Sequence, residues 1–320
     1  MAMEYKTLNN GIVMPTIGLG TFQIPKDQMN RVICQAYELG YRMFDTAWQY
    51  KNEGDLIAAL RSNGIKREDV FLSTKCSPNA LFYRGVHEGR KGWLDIRNFT
   101  SIRSAIMKSF DNLQTEYIDL FLIHWPWPIP IAQAFYVELT KLYKQGRIKA
   151  IGVCSSLPPH LNAFNDVSDV LPAVNQFEIS PFNTQKQLIR YCQERRIICE
   201  AMSTFSHFRN TETRKDIVGN ETIAPIAEKY GKSIPQVILR WLVQQGIVVI
   251  PKSANQARLK ENISIFDFEL SSDEMSTIDS LDKGHFLNYN PEVTLTKPCW
   301  IRGRVPKKYR GWNGYDEKAK

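Results

Sequence analysis

Four side chains in this 320-residue sequence are of types that together can move a proton to an acceptor: Asp45, Tyr50, Lys75 and His124. A phenol is a poor acid at neutral pH, with an unperturbed pKa near ~10. A buried ammonium beside it favours the phenolate and lowers that value. A carboxylate behind the ammonium keeps it charged and aimed. A neutral imidazole can then donate a hydrogen bond to a substrate carbonyl. Taken singly these residues read otherwise: Asp45 with Lys75 as an ion pair at a rim, His124 as a satisfied core histidine. As a quartet they point to catalysis, provided the fold brings them together.

The surrounding pattern supplies elements that can do so. Short apolar runs at Ile17–Gly20, Arg42–Asp45, Val70–Thr74, Ile118–His124, Ala150–Val153, Ala173–Phe177, Ile197–Met202 and Val248–Ile250 read as strands. Between them lie stretches of helical period, such as Met29/Val32/Ile33/Ala36/Tyr37, Ile102/Ala105/Ile106/Ser109/Phe110 and Ile223/Ile226/Ala227/Tyr230. Ser233 with Pro235 marks another helix start. Eight strand-then-helix units predict an α/β fold, a (β/α)8 barrel, with a doubly wound sheet as the competitor. Tyr5–Leu8 and Ile12–Met14 around Asn9-Asn10-Gly11 predict an N-terminal β-hairpin with an Asn-Gly turn. No Gly/Ser or Pro-rich linker divides the chain. It reads as a single barrel domain over 1–320, with the barrel at about 5–282 and a tail at 284–320. The loop from Cys76 to Asn98 and the tail are long enough to be lids or binding loops. In a barrel, Asp45, Tyr50, Lys75 and His124 converge on the C-terminal mouth from three adjacent strands.

Composition narrows the partners. The net charge is +8, and the segment from Lys297 to Lys320 accounts for +6 of it, so the body carries no stripe of the kind nucleic acid needs. Six scattered cysteines without a C-x-x-C pair read as reduced thiols, and five histidines never fall at metal-ligand spacing. With no apolar N-terminal run and none approaching ~20 residues elsewhere, a soluble, cytoplasmic protein that binds neither membrane nor nucleic acid is expected, a monomer or weak homo-oligomer.

A second constellation follows the eighth strand. Pro251-Lys252-Ser253-Ala254-Asn255 leads into a helix carrying Arg258, Glu261 and Asn262. A helix N-terminus with lysine and arginine nearby suits a phosphate, although an ordinary solvated basic helix start has the same composition. No G-x-G-x-x-G follows a strand, which counts against a Rossmann cofactor site.

Gly18-Leu19-Gly20-Thr21-Phe22, Asp45 with Tyr50, Lys75, Leu122-Ile123-His124-Trp125-Pro126, Ile151-Gly152-Val153, Val174-Asn175-Gln176-Phe177-Glu178 and Ile250-Pro251-Lys252-Ser253 closely resemble the aldo-keto reductase family, from about residue 5 to about 282. The resemblance implies a barrel that reduces aldehydes or ketones with NADPH and without a metal. Tyr50 would be the proton donor, tuned by Lys75 and Asp45, and His124 would orient the carbonyl. Cofactor contacts carried over are Gly20, Thr21, Phe22, Asp45, Cys154, Ser155, Gln176, Met202, Ser203, Phe205, Lys252, Ser253, Ala254, Asn255, Arg258, Glu261 and Asn262. Of these, Lys252, Ser253 and Arg258 would hold the 2′-phosphate, while Glu261 and Asn262 face the adenine.

The chain departs from the family at the nicotinamide shelf. Cys154-Ser155 stands where the family has Ser-Asn, Met202 replaces a stacking Tyr, and Ser203-Thr204-Phe205 replaces Ser-Pro-Leu. An alternative is therefore a weakly catalytic, cofactor-sensing relative. Phe22, Trp48, Tyr50, His124, Trp125 and Trp300 form the expected substrate wall, joined by Phe205, with Phe82, Tyr83 and Trp93 as a candidate lid. Arg84, His87, Arg90 and Lys91 in the same loop would favour an anionic substrate group if they face inward.

Overall fold

A computed structural model describes residues 3–77, 101–125, 129–205, 211–284, 286 and 291. A short antiparallel hairpin, β1 (Tyr5–Thr7) and β2 (Val13–Pro15), precedes eight parallel strands: β3 (Leu19–Gly20), β4 (Met43–Asp45), β5 (Phe71–Cys76), β6 (Ile118–Ile123), β7 (Ile148–Cys154), β8 (Val174–Glu178), β9 (Ile198–Met202) and β10 (Val248–Val249). Each of β4 to β10 pairs with its predecessor in sequence. The ring closes where Ile17 bridges Val249: Gly18 N–H donates to Val249 O and Val249 N–H to Thr16 O, both at 2.9 Å. The eight expected runs are thus the eight strands of a (β/α)8 barrel, with shifted ends. β5 extends to Cys76, β7 starts at Ile148, and β3 and β10 shrink to two residues each.

The helices behave as their spacing dictates. In α1 (Lys26–Glu38) the buried residues are Met29, Val32, Ile33 and Ala36, and in α3 (Ile102–Leu113) they include Ala105, Ile106, Ser109 and Phe110. α8 (Ala224–Tyr230) buries Ile226 and Ala227, while α9 (Ile234–Gln244) starts at a capping box of Ser233 and Gln236 with Pro235 in its first turn. The remaining helices are α2 (Glu53–Ser62), α4 (Ile129–Lys144), α5 (Pro158–Phe164), α6 (Lys186–Gln193), α7 (Thr211–Val218), α10 (Gln256–Ile263) and α11 (Ser272–Asp279). None of the described helices is long and apolar enough to cross a membrane.

Strand pleating sorts side chains to two cores. Phe44, Leu72, Phe121, Ile123 and Val153 face the helices and join the large outer core. Their neighbours Met43, Phe71, Leu120, Leu122, Cys154 and Val174 turn into the lumen. Continuing that period of two, Asp45, Ser73, Lys75, His124, Gln176 and Glu200 fall on the lumen side at the C-terminal ends of their strands. The barrel is therefore oily below and polar above.

Leu8 and Met14 of the hairpin segment complete the apolar lumen from the N-terminal end. The hairpin turn is not the two-residue Asn-Gly type. It spans residues 8–12, closed by Leu8 N–H to Ile12 O and Gly11 N–H to Leu8 O, with Gly11 at φ +87°. Asn9 and Asn10 instead reach out of the turn. Their amides donate to Pro172 O (2.9 Å) and Lys149 O (2.8 Å), anchoring the hairpin across the barrel floor.

The closing seam is tight. A Cβ on Gly20 would meet the Ile250 carbonyl oxygen at 2.9 Å, whereas one on Gly18 would press mainly on the flexible end of Met43. Gly20→Ala should therefore cost about 1–3 kcal/mol and lower the melting temperature by several degrees, with Gly18→Ala costing less. Thermal unfolding followed by circular dichroism measures both.

Candidate active site

The barrel brings the four residues together. Asp45 ends β4, and the next turn of chain is a single 3-10 turn, Trp48–Tyr50, stopped by Lys51 in the left-handed region at φ 56°. Lys75 is the penultimate residue of β5, and His124 follows β6 directly, its N–H held by Cys76 O at 3.0 Å. Lys75 is fully buried and Asp45 is 2% exposed. Lys75 Nζ bonds both carboxylate oxygens of Asp45, Oδ2 at 2.6 Å, and donates to Thr46 O at 3.1 Å. The carboxylate also accepts from Ser73 Oγ (3.0 Å) and from Gln176 Nε2 (3.4 Å). Because β8 lies opposite β4 in the ring, that last contact spans the lumen.

Tyr50 lies over this pair, with Lys75 Nζ 5.4 Å from its ring centre. Burial pushes the Tyr50 hydroxyl up to about 12. The charge of Lys75 pulls it down, Asp45 and Cys154 push it back up, and the nearness of the Lys75 ammonium to the hydroxyl pulls down again. The lowered phenol pKa expected from the sequence is therefore not the net result. Lys75 acts in that direction, and burial outweighs it. The phenol stays protonated at neutral pH and still has the ammonium placed to receive the charge of a phenolate. For Lys75, burial alone would lower the pKa; Asp45, Tyr50 and Cys154 overturn that and hold it up.

His124 is 7% exposed. Burial, and then the charge of Lys75, push its pKa well below the usual histidine range, so the ring is neutral. Its plane is set by Trp125, stacked at 5.4 Å and 15°, and by Tyr50, edge-on at 5.7 Å. Phe22, 37% exposed, tilts against Tyr50 at 4.8 Å. Trp125, at φ 76°, stands beside His124, whereas Trp48, at the start of the 3-10 turn, packs on the outer core. Phe205 packs on the outer core. Trp300, the aromatics Phe82, Tyr83 and Trp93, the charges Arg84, His87, Arg90 and Lys91, and the tail apart from Gly284, Phe286 and Pro291 lie outside the described residues.

Among the residues expected to line the nicotinamide, Gln176 is flanked by Asp45 and by Cys154, whose Sγ is 3.9 Å from Gln176 Oε1. Ser155 sits at φ 47° with its N–H on Gln176 O, and Ser203 at φ 55° follows Met202. The Thr21 hydroxyl is directed into the fold, donating to Asp45 O at 2.9 Å.

Around the seam, Gly20 lies against Lys252: a Cβ there would be 3.6 Å from that of Lys252. Ser253 Oγ donates to Asn255 O, and the Asn255 side chain caps α10 by accepting from Arg258 N–H at 3.1 Å. Ala254 O accepts from Arg31, and Glu261 accepts from Ser233 Oγ. Asn262 is buried. Lys252 is exposed, yet enough protein crowds its ammonium to lower its pKa, and Arg214 and Arg258 add to the effect. Among the described residues no carboxylate forms an ion pair with any of these three cations. A phosphate dianion is the group such a site lacks, so these residues fit a phosphorylated cofactor. Among the described residues no cluster of metal-ligating side chains occurs.

Sequence reasoning missed Gln49, whose Oε1 is 3.1 Å from His124 Nδ1, and Arg214. It also missed Glu200, although an acid inside the apolar run Ile197–Met202 was a readable signal. Glu200 is fully buried in the lumen, paired in register with Gln176, and neither carboxyl oxygen has a hydrogen-bond partner among the described residues. Burial, with the charge of Asp45, pushes it up to about 8. Lys75 and the nearby Gln176 amide, short of hydrogen-bonding geometry, oppose weakly. The folded state therefore holds a proton that the unfolded chain releases above its usual pKa of 4.5. Stability should fall as pH rises from there towards 8. Glu200→Gln should remove that slope: its melting-temperature advantage over wild type grows between pH 5 and 8.5, and a constant difference contradicts the assignment.

Comparison with known proteins bears on the family and the fold. The sequence profile of the Aldo/keto reductase family matches residues 16–283. The chain is 37% identical over 289 residues to a glyoxal reductase of Bacillus subtilis (strain 168), covering 90% of this chain and 96% of that protein. It is 36% identical over 289 residues to a methylglyoxal reductase of Escherichia coli (strain K12), covering 89% and 96%. Among solved structures, an aldo-keto reductase from a Medee basin deep-sea metagenome library superimposes with a TM-score of 0.78 at 34% identity, over 89% of this chain and 97% of that one. A variant of Gox0644 in complex with NADPH gives 0.77 at 32%, over 91% and 98%. With the profile spanning the barrel and the curated relatives matched over nearly their full length, the chain belongs to the aldo-keto reductase family, oxidoreductases that move hydride between NADPH and a carbonyl group.

Proposed function

We propose that the chain reduces a small aldehyde or ketone at the mouth of the barrel, with Tyr50 as proton donor. The carrying observation is the coupling of Tyr50 to a fully buried Lys75–Asp45 pair. With the ammonium at 5.4 Å from its ring centre, the phenol keeps its own proton for an acceptor in the mouth. As that proton leaves, the charge forming on the phenol oxygen meets an ammonium already held by Asp45 and Thr46 O, so little has to reorganise. His124, neutral and pinned by Trp125, orients the acceptor oxygen. Phe22 and Trp125 form an apolar wall that excludes water from one side. Bound NADPH supplies the hydride.

Lys252, Ser253 and Arg258 hold the 2′-phosphate in this reading, with Gly20 allowing the chain to pass close beneath. Gln176, Cys154 and Ser155 face the carboxamide, and Met202, Ser203 and Phe205 the nicotinamide ring. The relatives named for glyoxal and methylglyoxal reduction put small dicarbonyls first among substrates to try. We assign the whole chain to one barrel domain with a tail from 284, working in the cytoplasm as a monomer or weak homo-oligomer.

Loss of NADPH absorbance over a panel of aldehydes and ketones tests the reaction. Tyr50→Phe should abolish turnover while leaving NADPH binding, read by fluorescence titration, within a factor of about two; turnover unaffected by the substitution refutes the assignment. Lys252→Met should raise the KM for NADPH by at least about tenfold, the worth of one charge-assisted phosphate contact, with little change for NADH. Equal effects on both cofactors remove the phosphate assignment.

A further inference from the structure

The ring of His124 has its plane fixed, by the Trp125 stack and the Tyr50 edge, and its charge fixed at zero. One degree of freedom remains: which nitrogen carries the proton. A neutral imidazole is a donor at one nitrogen and an acceptor at the other. A carbonyl oxygen only accepts. A histidine that orients a carbonyl therefore needs its proton on the nitrogen facing the substrate and a donor supplied to the other.

Nδ1 is the nitrogen already engaged, 3.1 Å from the side-chain amide of Gln49. We propose that Gln49 is a positioning residue that selects the His124 tautomer, giving its amide N–H to Nδ1 so that Nε2 carries the proton and faces the carbonyl. The amide is assigned with its oxygen towards Nδ1, but oxygen and nitrogen exchange by a half-turn of the amide, and 3.1 Å suits either. Only the orientation with nitrogen towards Nδ1 leaves His124 a donor at Nε2. Gln49 precedes Tyr50 within the 3-10 turn that Lys51 ends. One rigid stretch of backbone thus sets both the phenol and the amide, and the distance between the two donors to a carbonyl oxygen is fixed by a single local conformation. The other titratable groups at the ring are Tyr50, from the same turn, and Lys75, from β5 with Asp45 behind it. Neither reaches Nδ1 in the structure. The inference rests on the reading of His124 as the carbonyl-orienting group, and a test that reports the tautomer apart from turnover separates the two.

The test uses the full chain with 15N-labelled histidine, in wild type and in Gln49→Glu and Gln49→Leu, with His124→Asn to identify the ring signal. In wild type the proton should sit on Nε2. Gln49→Glu offers only an acceptor, so the proton should move to Nδ1, or the ring should become doubly protonated below neutral pH and give kcat/KM a new titration there. Gln49→Leu, which removes the bond at nearly constant volume, should populate both tautomers. Each should lower kcat about tenfold or more, the worth of one hydrogen bond in the transition state, with the KM for NADPH unchanged. An Nε2-protonated ring in both variants, as in wild type, overturns the proposal. A moved proton with unchanged kcat upholds the control by Gln49 and removes instead the role of His124. The leucine variant keeps the question answerable should the glutamate variant fail to fold.

Discussion

Burying a full ammonium beneath the barrel mouth is the constraint to which the rest of this site answers. An isolated buried charge costs many kcal/mol, and a buried pair is tolerated only when its remaining donors and acceptors are met. Lys75 has its protons committed to the two carboxylate oxygens of Asp45 and to Thr46 O. Asp45 in turn draws Ser73 from the adjacent strand and Gln176 from across the lumen. Each commitment fixes a backbone position: the end of β4, the turn after it, and the strand opposite. The polar cluster thus works as a jig for the upper lumen while the apolar layer below supplies the burial that gives the charges their strength.

Much of this was written in the chain as alternation. The pleat that sends Met43 inward sends Phe44 outward and Asp45 inward again, and the same beat carries Phe71, Ser73 and Lys75 to the lumen. Eight such runs separated by helical periods left a closed barrel as the better of two architectures, and the helix start at Ser233 was readable from Ser233 together with Pro235. The ends of elements were less legible. β3 and β10 contract to two residues since their closure depends on a long-range partner that no local pattern announces. Asn9-Asn10-Gly11 suggested a tight turn, but both asparagines are taken by distant carbonyls, Lys149 O on β7 and Pro172 O just before β8.

What the sequence could not supply was balance among opposing effects. The residues around Tyr50 were identifiable, but whether its proton is held or shed depends on burial against a cation and an anion at once, and only coordinates give those weights. Gln49 had no visible role, because a glutamine between two aromatics signals nothing until the ring it touches is placed. Glu200 was visible as an acid in an apolar strand, yet its lack of partners is a property of the packed lumen.

The seam between the first and last strands gains a second meaning from its neighbours. It is the joint with the shortest strands in the ring, and Gly20 and Lys252 meet beside it. A dianion gripped by Lys252 and Arg258 would therefore act like a clasp on a hoop, tightening a place where the stave ends are joined by few bonds. Coenzyme occupancy and the integrity of the ring would then be linked: whichever redox form of the coenzyme were bound would also hold the vessel shut.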